Sequence, residues 1–162
     1  MIIMGIDPGT SRVGWAVIRT DRSHVSALSY GCITTETGIS DEVRLKTIYQ
    51  KLTHLLILHK PQSLALEDLF FATNATTVIT VGQARGVVLL AAAQKEIPVA
   101  SYAPLAVKRA ITGDGMADKT QVTRMVMRIL RLAKPPKPDD TADAIAIALT
   151  HAYSYKLKEK IA

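Results

Sequence analysis

Met1-Ile-Ile-Met-Gly-Ile-Asp-Pro-Gly-Thr-Ser-Arg-Val-Gly-Trp-Ala-Val-Ile-Arg-Thr20 opens the chain, and its reading decides the fold. The apolar run Ile2 to Ile6 predicts a strand buried on both faces, interrupted only by Gly5 and ended by Pro8-Gly9. A second apolar run, Val13 to Ile18, follows the turn, so the two should pair as an antiparallel hairpin. Asp7 is the anomaly. A lone acid at the end of so apolar a strand is costly to bury unless it is paired or bound to a cation. A plainer role is also open to it, as a turn residue whose carboxylate caps the amides of Gly9, Thr10 and Ser11. The segment by itself does not separate the two.

Beyond the hairpin, the alternating pattern of Val25 to Thr34 predicts a third strand that completes a meander. Ser40 suits an N-cap, with Asp41 and Glu42 in a first turn where acids favour the helix dipole. Apolar residues at helical spacing then predict an amphipathic helix over 41–60, stopped by Pro61. Ser63-Leu-Ala-Leu-Glu67 reads as a short strand ending in a second acid. Residues 76–95 read as a largely buried helix, and Ile97 to Tyr102 as another strand. A helix from Pro104 to Thr112, a Gly113-Asp-Gly115 turn and a basic amphipathic helix over 118–131 follow. Pro135-Pro-Lys-Pro138 is a stiff connector, too short to separate two cores. The last helix runs from Asp139 to Tyr155 and trails into a basic tail. No internal repeat or low-complexity segment interrupts the chain.

Composition narrows the class. At 162 residues one domain is expected, long enough for a real core. An apolar share of 48% excludes a disordered chain. No segment reaches the roughly 18 apolar residues of a membrane span, and no basic-then-apolar leader opens the sequence. Cys32 is a single cysteine in an apolar strand, suited to be a small buried hydrophobe. The cytoplasm is the expected compartment. Twenty Lys plus Arg against fourteen Asp plus Glu give a net charge of +6, which suits a polyanionic partner.

A meander followed by alternating strands and helices implies a mixed α/β sheet with helices on both faces. The strand after the first long helix should return parallel to the first through a right-handed crossover. If it lies beside the first strand, Asp7 and Glu67 share the edge where ligands sit in open α/β sheets. The start of the last helix adds Asp140 and Asp143, three residues apart and about 60° apart on the helical wheel, so both face one way. Acids at a helix start are ordinary, and a capping role alone is open to Asp139 or Asp140. Asp143 fits that role less well, beside the apolar run Ala144 to Leu149. Four carboxylates from two strand ends and one helix start could form a hard-oxygen site for Mg²⁺ or Mn²⁺, and the lack of His or Cys partners argues against zinc.

At these residues the chain resembles the RuvC-type Holliday-junction resolvases of bacteria, with their ribonuclease-H-like fold. The likeness runs over nearly the whole length. It rests on Gly5-Ile-Asp-Pro-Gly9, Leu66-Glu-Asp-Leu-Phe70, Gly82-Gln-Ala-Arg-Gly86, Asp118-Lys-Thr-Gln-Val122 and Asp140-Thr-Ala-Asp-Ala-Ile-Ala-Ile-Ala148 followed by Thr150-His151. The resemblance implies that Asp7, Glu67, Asp140 and Asp143 bind metal. Some members carry His at the position of Asp140, and Asp139 is a possible substitute. It implies two-metal phosphodiester hydrolysis with Mg²⁺, or Mn²⁺ in its place, two ions per site, leaving 5′-phosphate and 3′-hydroxyl ends. Lys119 matches a family lysine near the scissile phosphate, and Lys108 matches another. A solvated basic face is the plain alternative for both.

Phe70 matches the family's stacking residue beside the site. Alternation suggests that only one of Phe70 and Phe71 is exposed, and both could instead fill the core. The resemblance further implies a four-way DNA junction as substrate, a homodimer with the Gly82-Gln-Ala-Arg-Gly86 helix near its axis, and a branch-migration helicase complex as partner. A single set of acids per chain agrees with the dimer, because paired cuts need two sites. Trp15, Tyr49 and Met125 read as packing residues, and His24, His54, His59 and His151 as structural or surface groups. Three rival readings remain. The first is a phosphate-loop nucleotide-binding protein, since Gly5 to Ser11 is similar to the first loop of sugar kinases and actin-like ATPases; this chain has no second glycine-rich loop. The second is a ribonuclease-H-like nuclease on structured RNA. The third is a catalytically inactive nucleic-acid-binding module.

Overall fold

The computed structural model describes residues 1–21, 24–68 and 75–161. Among these residues five strands and five helices follow one another as β1 Ile2–Asp7, β2 Arg12–Thr20, β3 Val25–Thr34, α1 Asp41–His59, β4 Ser63–Glu67, α2 Ala75–Gln94, β5 Val99–Tyr102, α3 Pro104–Thr112, α4 Lys119–Leu130 and α5 Asp139–Ile161. The sheet order is β3-β2-β1-β4-β5. Its first three strands pair antiparallel, while β4 and β5 join parallel to β1. The expected meander and crossover are both present.

The period of two along a strand divides the core. Met4, Ile6, Val17, Leu64 and Leu66 face one side, where Ile48, Leu52 and Leu56 of α1 and Ala84, Val88 and Ala91 of α2 cover them. Ile3, Ala16, Ile18 and Ala65 face the other, against the Ala144–Leu149 run of α5 and against Val107, Ile111, Val122 and Val126 of α3 and α4. Helices therefore cover both faces, and α5 is buried along its middle because every position there is small or apolar. By the same parity Asp7 follows Ile3 and Gly5 onto the α5 face, and Glu67 follows Ser63 and Ala65. The last pair of the parallel ladder, Ile6 with Leu66, sets those two acids one step further on, side by side.

Four details depart from the sequence reading. Strand β5 begins at Val99, not Ile97, because the Ile97 amide donates to Ala92 O at 3.0 Å and closes the end of α2, while Pro98 has no amide to give a ladder. Helix α5 continues past Tyr155 to Ile161. Helix α2 is not largely buried: Ile79 is 62% and Leu90 53% exposed. Cys32 is half-buried on the edge strand rather than in the core. Ser40 does take the N-cap position of α1, but its hydroxyl bonds Glu42 Oε1 at 2.6 Å rather than a backbone amide. Helix α4 has the fuller cap, in which Asp118 accepts from the Gln121 amide and the Asp118 amide donates to Gln121 Oε1, both at 2.8 Å. Among the described residues no helix is long and apolar enough to cross a membrane.

Candidate active site

Two glycines set how closely α5 can approach the sheet. A Cβ on Gly5 would stand 2.2 Å from the Ala144 carbonyl oxygen, and one on Gly14 would stand 1.9 Å from that of Asp140. Both distances are far inside van der Waals contact, so only a residue without a side chain admits the helix here. Gly14 is the register partner of Asp7. The first turn of α5 therefore lies directly over the end of β1, which brings Asp140 and Asp143 beside Asp7 and Glu67. The sequence shows these glycines inside strand patterns, but only the tertiary packing shows what they admit.

Asp7, Glu67 and Asp143 line one cleft of about 340 Å³ together with Lys108 and Lys119. Asp140 stands at its margin. Burial is the main reason that Asp7 holds its proton up to about 8, with the charges of Glu67, Asp143 and Asp140 adding to it. Burial likewise raises Glu67 to about 7, helped by Asp143 and opposed by Lys119 and Lys108. Asp143 is raised by burial too, against the pull of Lys119. Lys119 Nζ donates to Asp143 Oδ2 at 3.3 Å, and the Asp143 charge raises the Lys119 pKa in turn. Arg12 Nε lies 3.4 Å from Asp140 Oδ2.

These acids are gathered but not drawn tight. Among the described residues no three Asp, Glu, His or Cys side chains close to metal-holding distances, and the two outer acids lean on Arg12 and Lys119. The donor set fits a hard divalent cation: every donor is a carboxylate oxygen, and several of them are desolvated and mutually repelling. Asp139 is exposed and lines a neighbouring cleft with Lys119 and Asp143, not the one that holds Asp7 and Glu67. Phe70 and Phe71 lie outside the described residues.

Nothing in the sequence alone marks Arg85 as part of the site. From α2 it reaches the end of β4, where Nε donates to the Glu67 carbonyl oxygen at 3.4 Å and Nη2 to Asp68 Oδ1 at 3.2 Å and Ser101 Oγ at 2.8 Å. It thereby fixes the strand end that carries Glu67, and the Gly82-Gln-Ala-Arg-Gly86 motif supplied the only hint. The histidines keep to structural places. His151 is buried with Nε2 2.8 Å from Ser63 Oγ and Nδ1 2.8 Å from the Tyr102 hydroxyl, and His59 packs its ring 5.9 Å from that of Trp15.

Residues 3–151 match the family model described as crossover junction endodeoxyribonuclease RuvC. Crossover junction endodeoxyribonuclease RuvC of Syntrophomonas wolfei is 48% identical over 97% of this chain and 91% of its own length. That of Rubrobacter xylanophilus is also 48% identical, over 96% of this chain and 87% of its own. The structure of Thermus thermophilus RuvC in complex with a Holliday junction substrate superposes with a TM-score of 0.93 at 34% identity, covering 98% of this chain and 96% of that one. The yeast mitochondrial Holliday junction resolvase Ydc2 shares the fold at a TM-score of 0.67 and 14% identity, over 97% of this chain and 82% of its own.

Proposed function

The chain belongs to the RuvC family of crossover junction endodeoxyribonucleases, and from that premise we propose that it resolves Holliday junctions through the carboxylates of Asp7, Glu67, Asp140 and Asp143. It is a hydrolase acting on DNA, and a four-way junction is its substrate. The observation that carries the assignment of residues is the convergence of β1, β4 and the start of α5 on one cleft, where burial holds Asp7 protonated up to about 8. Such a cluster is unfavourable when ionised unless positive charge joins it.

Those four acids would hold two divalent ions, Mg²⁺ or in its place Mn²⁺. When bound, the ions supply positive charge at the attacked phosphodiester and make water there more acidic. The chain's own groups do the rest. Asp7 and Glu67 give up the protons they hold when the cleft is empty of cations, so loading releases acid. Asp143 lines the same cleft from α5, and Asp140 adds its charge from the side, where it acts on Asp7. Lys119, at the mouth of the cleft, stabilises the charge that grows on the phosphate, and Lys108 adds a second cation from α3. Phe70 stacks on a base freed at the junction centre, with Phe71 as the alternative. Hydrolysis leaves a 5′ phosphate and a 3′ hydroxyl.

Each chain carries one acid cluster and a junction needs two cuts, so the working form is a two-fold homodimer. Its interface falls on α2. Ile79, Gly86 and Leu90 lie within about 40° of one another on the helical wheel, at 100° per residue. All three are exposed, and beyond its own turn of helix a Cβ on Gly86 would meet nothing within 4 Å among the described residues. That open stripe of small and apolar residues suits a second copy of itself. We read residues 1–162 as one ribonuclease-H-like domain, working in the cytoplasm beside a branch-migration helicase complex.

The test is cleavage of a four-way junction, a matched duplex and a structured RNA, with Mg²⁺ and with chelator. Paired, ligatable nicks in the junction alone, and only with Mg²⁺, support the reading. Preferential cutting of the RNA would replace it.

A further inference from the structure

A second cleft of about 320 Å³ opens beside the first and shares Lys119 and Asp143 with it. One wall is the exposed face of α4, where Lys119 and Thr123 form one i,i+4 row and Thr120 and Arg124 form the next. The other wall is the acidic start of α5, Asp139 and Asp143. None of the ion pairs among the described residues involves Arg124, which is exposed, and Arg128 continues its row one turn on. At the α4 N-terminus the amides of Asp118 and Gln121 are taken by each other's side chains.

The charges of the two walls differ in what they can hold. The acids at the joint between the clefts suit cations, so a polyanion running through must keep to the α4 side, where Lys119 and Arg124 stand. Resting on the nuclease reading above, we propose that this cleft carries the backbone of the cleaved strand away from the scissile phosphate, with Arg124 gripping a phosphate further along. Lys119 and Arg124 are five residues apart, or about 7.5 Å along the helix at 1.5 Å per residue. At a rise of about 3.4 Å per nucleotide, Arg124 meets the phosphate roughly two nucleotides from the cut. Arg128, about 6 Å further along the helix, lies in line for a phosphate roughly four nucleotides from the cut. Asp139 sets the path by repulsion and touches no phosphate.

The experiment pairs an amino-acid change with a change in single phosphates. Four-way junctions carrying one neutral methylphosphonate at each position either side of the cut are bound, in chelator, by the wild-type protein and by Arg124→Gln. Lys46→Gln, the same loss of charge on an exposed position of α1 across the sheet, is the control. Arg124→Gln should weaken junction binding about 5- to 30-fold and lower the slope of log affinity against log salt by about 0.7–0.9. The wild type should lose affinity at one neutralised phosphate near the second nucleotide, and Arg124→Gln should lose nothing more at that position while staying sensitive elsewhere. Additive losses at every phosphate, or an equal change in slope for Lys46→Gln, overturn the proposal. A wild-type protein that binds no junction overturns this and the nuclease reading together, whereas normal binding with an indifferent Arg124→Gln overturns this one alone.

Discussion

Replacing Asp7 by Asn should make the cation-free protein more stable while removing its cleavage activity. Asp7 titrates near 8 in the folded chain, against its ordinary value of 3.8, chiefly because it is buried. Between those values the folded chain keeps a proton that the unfolded chain has lost. The stability tied to that proton is fully present below about pH 3.8 and is lost as pH rises towards 8. At about 1.36 kcal/mol per pH unit, the loss by pH 7 reaches about 4 kcal/mol. Relaxation of the cleft around the ionised acid brings it to roughly 2–4 kcal/mol. Asparagine has no proton to lose. For a chain of this size each kcal/mol moves the melting temperature by about 2–4 °C, so the variant should melt roughly 5–15 °C above wild type at pH 7–8. The assay is thermal unfolding of both proteins in chelator from pH 4 to pH 9. The two should agree near pH 4 and part as the pH rises, and Mg²⁺ should stabilise only the wild type. A variant that melts lower at pH 8, or a gap that does not change with pH, refutes the account of Asp7.

Further expectations concern packing, assembly and the junction centre. Gly14→Ala drives a Cβ towards the Asp140 carbonyl oxygen, 1.9 Å away, and should cost roughly 1–3 kcal/mol or more in urea unfolding as α5 lifts from the sheet. Cleavage should fall with it. Leu90→Asp places a charge on the exposed stripe of α2, so sedimentation should show the dimer replaced by monomer without loss of the fold; an unchanged dimer would move the interface elsewhere. Phe70→Ala should slow junction cleavage more than it weakens binding, by the roughly 1–3 kcal/mol that one stacked base contributes. A large fall in melting temperature with normal cleavage would make Phe70 a core residue instead.

The fold was legible wherever the pattern was local. Ile2 to Ile6 and Val13 to Ile18 are apolar throughout, with Pro8-Gly9 between them, and no other short arrangement buries both. The alternating Val25 to Thr34 and the i,i+4 rows of α1 and α4 were equally plain. The end of α2 was not, because a carbonyl of its last turn captures the Ile97 amide, and a strand pattern does not reveal that competition. Nor was the exposure of Ile79 and Leu90 legible, since an apolar residue reads alike whether its neighbour is its own core or open surface. Asp7 and Glu67 could be placed together by topology alone. Their closeness to Asp140 and Asp143 depends on Gly5 and Gly14 admitting α5, and the grip of Arg85 on the Glu67 carbonyl depends on α2 crossing β4. Both are contacts between residues distant in sequence, with no periodicity to announce them.

The central claim is that these four acids do chemistry rather than hold the fold, and one comparison tests it most directly. Junction binding and junction cleavage are measured for the wild type and for Asp7→Asn, Glu67→Gln, Asp140→Asn and Asp143→Asn, each with its melting curve. Affinity should come from Lys and Arg contacts to phosphate, which these changes leave in place. Asp7→Asn, Glu67→Gln and Asp143→Asn should therefore bind the junction close to the wild-type level and cut it not at all. Asp140→Asn should keep the most activity, because its carboxylate stands at the margin of the cleft on Arg12, 3.4 Å away. Loss of folding or of junction binding in the first three, or full inactivation by Asp140→Asn alone, would contradict the account.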